Sequence, residues 1–388
     1  MNTTTGARLR ISALVARPLL GLLLSGCGAD NRAAGPPLAE PVFEILSAPD
    51  QTMVRTRSLS ADGSVVGGSG LNDTISRALL WDTTGALRVL APASTAPFGG
   101  STVQAISADG KVLAGASGNG IIDAPQPAIW RLEDDSARLL ASPPGAIAGH
   151  ATDVSADGTV LLGTMLLEPT ATARAVLWRT PEAQPEILEF DDAHALSPDG
   201  QTAALCCLPA TGLQGQVTDA VVDLRNGASR FAGVPTGFDV CTLSALADTD
   251  RAVGTCMRRG AAGTEPESVP VVWNALVPEV ITAISGQKSG VLTSLSADGQ
   301  VAGGYSGLDP FAFEDAHAIV WSESRGAVRL ADVLSQAGIA PAASFQLNAV
   351  LGVSADGQAL IGVAFDRRDP EHRPLPFRVR GLRLEEVP

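Results

Sequence analysis

The sequence predicts an all-β protein, a seven-bladed β-propeller of four-stranded antiparallel blades. Three observations predict it. A Ser-Ala-Asp-Gly tetrad recurs along the chain, all five Trp fall in one phase of that recurrence, and the composition is rich in turn formers without a helical period. Of 388 residues, 41 are Gly and 26 Pro, yet 45% are hydrophobic, enough to bury a sizeable core. Aromatic content is only 4%, and formal net charge is −14. Just two of the 27 basic residues are Lys (Lys111, Lys288), so no basic track for phosphates exists and nucleic acid is excluded as an expected partner.

The first element is an export signal, residues 1–26. Arg8, Arg10 and Arg17 supply its positive start, and Pro18 to Ser25 is a short apolar run, too short to span a bilayer as a helix. Leu24-Ser25-Gly26-Cys27 closes it and resembles the lipobox of bacterial lipoproteins. That resemblance implies lipidation of Cys27, membrane attachment through the lipid, and, with Gly28 rather than Asp next in line, an outer-membrane address facing the periplasm or the surface. Cleavage removes three Arg and no acid, deepening the net charge from −14 to −17. Residues 27–41, with Ala33-Ala34-Gly35-Pro36-Pro37, form the expected tether, and 42–388 the propeller.

The repeat begins with Ser60-Ala61-Asp62-Gly63. It returns at Ser107, Ser155, Ser197 (as Ser-Pro-Asp-Gly), Ser296 and Ser354, with a degenerate copy at Ala247-Asp248-Thr249-Asp250. Successive spacings are 47, 48, 42, 50, 49 and 58 residues. An apolar stretch ends 18 to 23 residues after each tetrad in Trp81, Trp130, Trp178, Asp223, Trp273, Trp321 or Val379. In the second copy, Thr102 to Ile106 reads as strand a, the tetrad as a tight turn, Lys111 to Ser117 as strand b, Pro127 to Leu132 as strand c and Ala137 to Ala141 as strand d. Only Ala331 to Gln336 offers a helix. Gly68, Gly115, Gly163, Gly304 and Gly362, five residues past their tetrads, predict bulges or close backbone approach in crowded inner strands. Two β-sandwiches or a β-solenoid are the competing architectures, and the repeat length disfavours the solenoid. Phe43 to Leu46 and Leu382 to Val387 compete to complete the last blade, with the N-terminal segment preferred because it stitches the chain ends together.

The unit apolar-Ser-Ala-Asp-Gly-x-Val-Val-x-Gly followed by Ala-x-x-Trp, as in Ala78-Leu79-Leu80-Trp81, resembles the HAF repeats of bacterial extracellular proteins over nearly the whole mature chain. The resemblance implies a propeller fold and an extracytoplasmic compartment, and it brings no catalytic residues with it.

The turn acids and the Trp series are expected to serve the fold, by capping turns and packing between blades. Asp191-Asp192-Ala193-His194 and Glu314-Asp315-Ala316-His317 are the places where acids meet a His, and no paired metal spacing occurs, so neither metal nor cofactor is expected. Cys206, Cys207, Cys241 and Cys256 allow several pairings; Cys241 with Cys256 across strands a and b competes with an interblade Cys206–Cys256 link. The b-to-c loops vary most between copies, which makes their face the expected binding surface. Two stand out: Asp309, Phe311, Phe313, Glu314 and Asp315 in one, Arg367, Arg368 and His372 in the other. The expected function is a noncatalytic, monomeric, lipid-anchored envelope module binding a protein or glycan, with a lyase or hydrolase using the central funnel as the alternative.

Overall fold

The computed structural model describes residues 41–387 apart from 73–74, 94–99, 119–123, 135, 207–216, 259–266, 283, 285–286, 288, 308–314, 340 and 342. Cys27 and the tether therefore lie outside the described residues. The described strands form seven sheets, each built around four antiparallel strands, a to d from the axis outward, with a fifth, parallel strand added in blade 5. Blade 2 is representative: Gly100–Ile106, Val112–Gly118, Gln126–Arg131 and Arg138–Leu139. The sandwich and solenoid alternatives are thereby excluded. Blade 7 takes its outer strand from the N-terminus, where Val42–Ile45 pairs antiparallel with Pro374–Arg380 from Val42 opposite Arg380 to Ile45 opposite Phe377. The C-terminal segment instead ends in a 3-10 turn, Leu384–Glu386, that buries Leu382, Leu384 and Val387 beneath the helix Leu330–Gln336.

The core lies between blades rather than within them. Each apolar cluster joins one blade to its predecessor: Trp130 packs with Leu80 and Val103, and Trp178 with Ala114 and Ile129. All five Trp are buried. Four indole N–H groups donate to a carbonyl in the connection leading out of the preceding blade: Trp81 to Ser47 at 2.9 Å, and Trp130, Trp178 and Trp273 to Ala91, Ala141 and Gly233 at 2.8 Å. The rings thus fill an interface and satisfy a buried polar group together, which explains their fixed phase. Trp321 is overlain by the Arg251 guanidinium at 5.7 Å from its centroid.

Two blades depart from this plan. The slot expected for Asp223 is filled by Val222, because register places Val222 opposite Ala203, as Trp130 stands opposite Leu113. Asp223 begins the following turn, its Oδ1 accepting from the Arg225 backbone N–H. The missing indole volume is supplied by the incoming connection: Phe190 ahead of blade 4, and Leu330, Val333 and Leu334 of the helix ahead of blade 7, where Val379 holds the slot.

The tetrad explains itself locally. Ser107 Oγ donates to Asp109 Oδ1 and accepts from the Val112 N–H, while Asp109 Oδ1 also takes the Lys111 N–H. The tetrad glycines hold φ between +67° and +75°, the left-handed region that side chains disfavour. The second residue has a further task. Ala61 N–H donates to Ala108 O, Ala108 to Ala156 O, Ala156 to Pro198 O, Asp248 to Ala297 O and Ala297 to Ala355 O. Pro198 has no N–H to pass on, and the gap is spanned by the Asp199 N–H donating to Asp248 Oδ1 at 2.7 Å. A belt of hydrogen bonds therefore runs from blade to blade around the axis.

The seam between the chain ends has its own fastening. Arg378 is fully buried, donates to Glu44 Oε1 on the closing strand at 2.6 Å, and reaches the Ser64 carbonyl of blade 1 at 2.5 Å.

Candidate functional site: the central channel

Strand a of each blade carries a bulge in the same place. The register slips between Thr56 and Ser58, Val103 and Ala105, Ala151 and Asp153, Ala193 and Ala195, Leu243 and Ala245, Leu292 and Ser294, and Val350 and Gly352. In six blades a strand-b glycine stands opposite the residue before the slip; in blade 4 Leu205 stands there, opposite Ala193, and the slip forms all the same. A Cβ on Gly115 would stand 2.0 Å from the Thr102 carbonyl oxygen, and one on Gly304 2.0 Å from that of Val291. In the six glycine blades the opposing backbone lies so close that a Cβ would clash with it. A bulge leaves one residue unpaired and re-aims it. The seven unpaired residues are Arg57, Gln104, Thr152, His194, Ser244, Thr293 and Leu351, each three positions before its tetrad. All seven line one cavity of about 530 Å³ on the propeller axis, bounded at the tetrad end by Ala61, Ala108, Ala156, Pro198, Ala297 and Ala355. That volume falls within the roughly 300–1,000 Å³ typical of small-molecule sites.

Ionisable groups are few in this wall. Arg57 is exposed to the channel although protein surrounds it; burial first, then the neighbouring Arg55 charge, lower its pKa. Among the described residues no side chain or carbonyl accepts a hydrogen bond from its guanidinium. Asp153 is half-buried, and each oxygen is engaged: Oδ1 accepts from the Val154 N–H and Oδ2 from the Leu196 N–H of blade 4, both at 2.8 Å. Burial pushes its carboxyl up to about 6 in spite of those two bonds. Ser58 fills the same position in blade 1, where its Oγ accepts from the Ile106 N–H of blade 2. At this depth, polar side chains stitch neighbouring inner strands.

His194 is held differently. Its Nδ1 lies 2.7 Å from Oδ2 of Asp219, which is only 1% exposed and also accepts from the Leu243 N–H of blade 5 at 2.7 Å. Its Nε2 lies 3.8 Å from Asp192, whose Oδ1 accepts from Thr164 Oγ1. Burial lowers the imidazole pKa, but the hydrogen bond and charge of Asp219, aided by Asp192, outweigh it and the net shift is upward. Asp219 owes its place to an addition to the blade plan: Val217–Thr218 pairs parallel with the inner strand of blade 5, Thr218 opposite Cys241, just before the chain enters strand c of blade 4. Sequence reasoning did not single out Asp219. The available signal was an acid directly ahead of the apolar run Ala220–Asp223, in a copy whose b-to-c connection is long.

His194, Cys206 and Asp219 bring three donor atoms within 4.8 Å of one another. Cys206 is disulfide-bonded, however, and the other two donors are bonded to each other, so the trio is an orientation device for His194 rather than a metal cradle. Cys241 and Cys256 are joined by a disulfide between opposed positions of strands a and b, Cα–Cα 4.1 Å. His150 is pulled down by burial against the charge of Asp192. His317, at the start of a strand c, is pulled down by burial and by Arg329 and Arg367.

Of the loop residues singled out in the sequence, Asp309, Phe311, Phe313 and Glu314 lie outside the described residues, and Asp315 is exposed. Arg367, Arg368 and His372 lie in the b-to-c turn of blade 7, which neutralises much of its own charge. Arg368 pairs with Asp366 at 2.8 Å and holds its carboxyl down at about 2, while Arg373 pairs with Asp369 at 3.0 Å. Arg367 reaches Gln346 Oε1 at 3.4 Å, and the exposed His372 adopts φ +46°. These groups do not line the channel.

No protein-family model matches the chain, and no curated protein matches it. Solved structures do match its fold. An oligogalacturonate lyase in complex with manganese shares 15% identity and a TM-score of 0.56, covering 88% of this chain and 96% of that one. An oligogalacturonate lyase from Vibrio parahaemolyticus gives 13% and 0.54 over 88% and 97%. The β-propeller domain of the Trilobed protease from Pyrococcus furiosus gives 10% and 0.53 over 84% and 95%. That domain is described as having an open velcro topology, whereas here Val42–Ile45 completes blade 7. At such identities the likeness establishes the seven-bladed propeller fold alone.

Proposed function

We propose that the chain is a lipid-anchored propeller of the bacterial cell envelope that binds a ligand without transforming it. The anchor is Cys27, in a lipobox-like context, and the repeats resemble those of extracellular bacterial proteins. One observation carries the noncatalytic reading: among the described residues, no nucleophile stands beside the acid–base groups of the channel. Asp153 receives two backbone N–H groups, His194 sits between two carboxylates, and among the described residues no hydroxyl or thiol is hydrogen-bonded to the imidazole for use as a nucleophile. A protein or glycan surface is the expected partner, met by a single copy of the chain.

The competing reading is a lyase or hydrolase working in the funnel, favoured by the buried Asp219 behind a channel-facing His194. Two measurements decide. Fractionation should place the chain with membranes and Cys27→Ser in the soluble envelope fraction; soluble wild-type protein would defeat the anchor. Purified protein incubated with oligouronides, glycosides and short peptides should release no product. Turnover abolished by His194→Gln would replace binding with catalysis.

A further inference from the structure

The channel is electrically polarised. Arg57, unpaired among the described residues, projects from blade 1 with Arg55 behind it on the same strand, and the neutral amide of Gln104 stands beside it on blade 2. Two and three blades round the ring from Arg57, toward the far side of the axis, the wall is acidic: Asp153 on blade 3, and His194 on blade 4 flanked by Asp192 and the buried Asp219. With His194 protonated and both partners ionised, that blade 4 group still carries one net negative charge. The remaining bulge positions are short hydroxyl residues and Leu351, which add no charge. A guanidinium in a confined space with no protein acceptor is a costly arrangement unless water or a ligand supplies oxygens, and its fork geometry matches a carboxylate. The facing acids reject a second anionic group and attract a cation.

We propose that the channel binds a small zwitterion of dipeptide size, its carboxylate on Arg57 and Gln104 and its ammonium group toward Asp153 and His194. The cavity of about 530 Å³ holds such a molecule. Asp153 keeps unused lone pairs on both oxygens for the ammonium group, since each accepts a single backbone N–H. The inference rests on the noncatalytic binding reading above and adds, beside the protein or glycan partner, a small-molecule site and its ligand chemistry.

The test is calorimetric titration of the purified chain with alanyl-alanine, its C-terminal amide and its N-acetyl derivative. Alanyl-alanine should bind, and each blocked derivative should bind about 10-fold or more weakly, the size expected for losing a charge-assisted contact. Arg57→Gln should weaken alanyl-alanine by a similar factor and remove the preference for the free acid over the amide, while leaving the preference for the free amine. Thermal unfolding at the wild-type temperature verifies that the variant is folded. Absence of heat with alanyl-alanine, equal binding of the blocked forms, or indifference to Arg57→Gln would overturn the assignment. Release of free alanine during the titration would instead overturn the noncatalytic reading while leaving the site in place.

Discussion

The bulged position of each inner strand lies three positions before its tetrad, and the two behave in opposite ways. The tetrad is nearly the same residue set in six of the seven blades because each of those blades asks the same thing of it: a turn capped by its own Ser and Asp and a left-handed Gly, with the second residue linking most blades to the next. The bulge has one backbone geometry in seven copies and six different side chains, Arg, Gln, Thr, His, Ser and Leu, with Thr used twice. Where repeats agree, the fold is the common cause. Where they disagree on an identical backbone, the fold has released the position, and what occupies it is available for recognition.

That contrast predicts large stability costs in one phase and almost none in the other. The largest belongs to the interblade slot: Trp130→Ala should cost about 3–5 kcal/mol in denaturant unfolding, since it opens a cavity and strands the Ala91 carbonyl. A cost below about 1 kcal/mol would show that the indole is dispensable. Ser107→Ala, which removes the acceptor of the buried Val112 N–H and the donor to Asp109, should cost about 1–3 kcal/mol.

A comparable effect lies at the boundary between the two phases. The folded pKa of Asp153, about 6, is above the ordinary value of 3.8, so the folded state binds its proton more readily than the unfolded chain. Its contribution is therefore most favourable below pH 3.8 and is lost as pH rises through 6, a swing of about 1–3 kcal/mol. Asp153→Asn should flatten the stability profile between pH 4 and 6 relative to wild type, whatever its offset. An unchanged slope would deny the shift. The smallest effect is Arg57→Gln, which should leave unfolding within about ±0.5 kcal/mol because the side chain contacts only the channel. A larger loss would make Arg57 part of the frame and erase the difference between the bulge and the tetrad.

Much of the frame was legible in the linear order of residues. Tetrads in six blades, Trp in five and strand-b glycines in six reflect the same local demands, and repetition makes a weak local signal strong. The preference for an N-terminal closing strand was also sound, although its fastening by Arg378, an Arg in an otherwise apolar strand position, depends on Glu44 lying more than 300 residues away in the chain. The Asp223 slot was misjudged by one residue because spacing counts residues while register counts pairs; only the hydrogen-bonded ladder puts Val222 opposite Ala203. The variable b-to-c loops drew attention to one face, whereas the cavity lined by all seven bulge residues lies on the axis.

The sequence by itself determined the number of blades, the capped turns and the slot for the indoles, because these depend on contacts within a unit or between a unit and its immediate predecessor. Tertiary structure alone decided which side chains share the channel and which charge faces which. Arg57, Asp153 and His194 are separated by 96 and 41 residues of chain, and they meet only because ring closure brings seven inner strands around one axis.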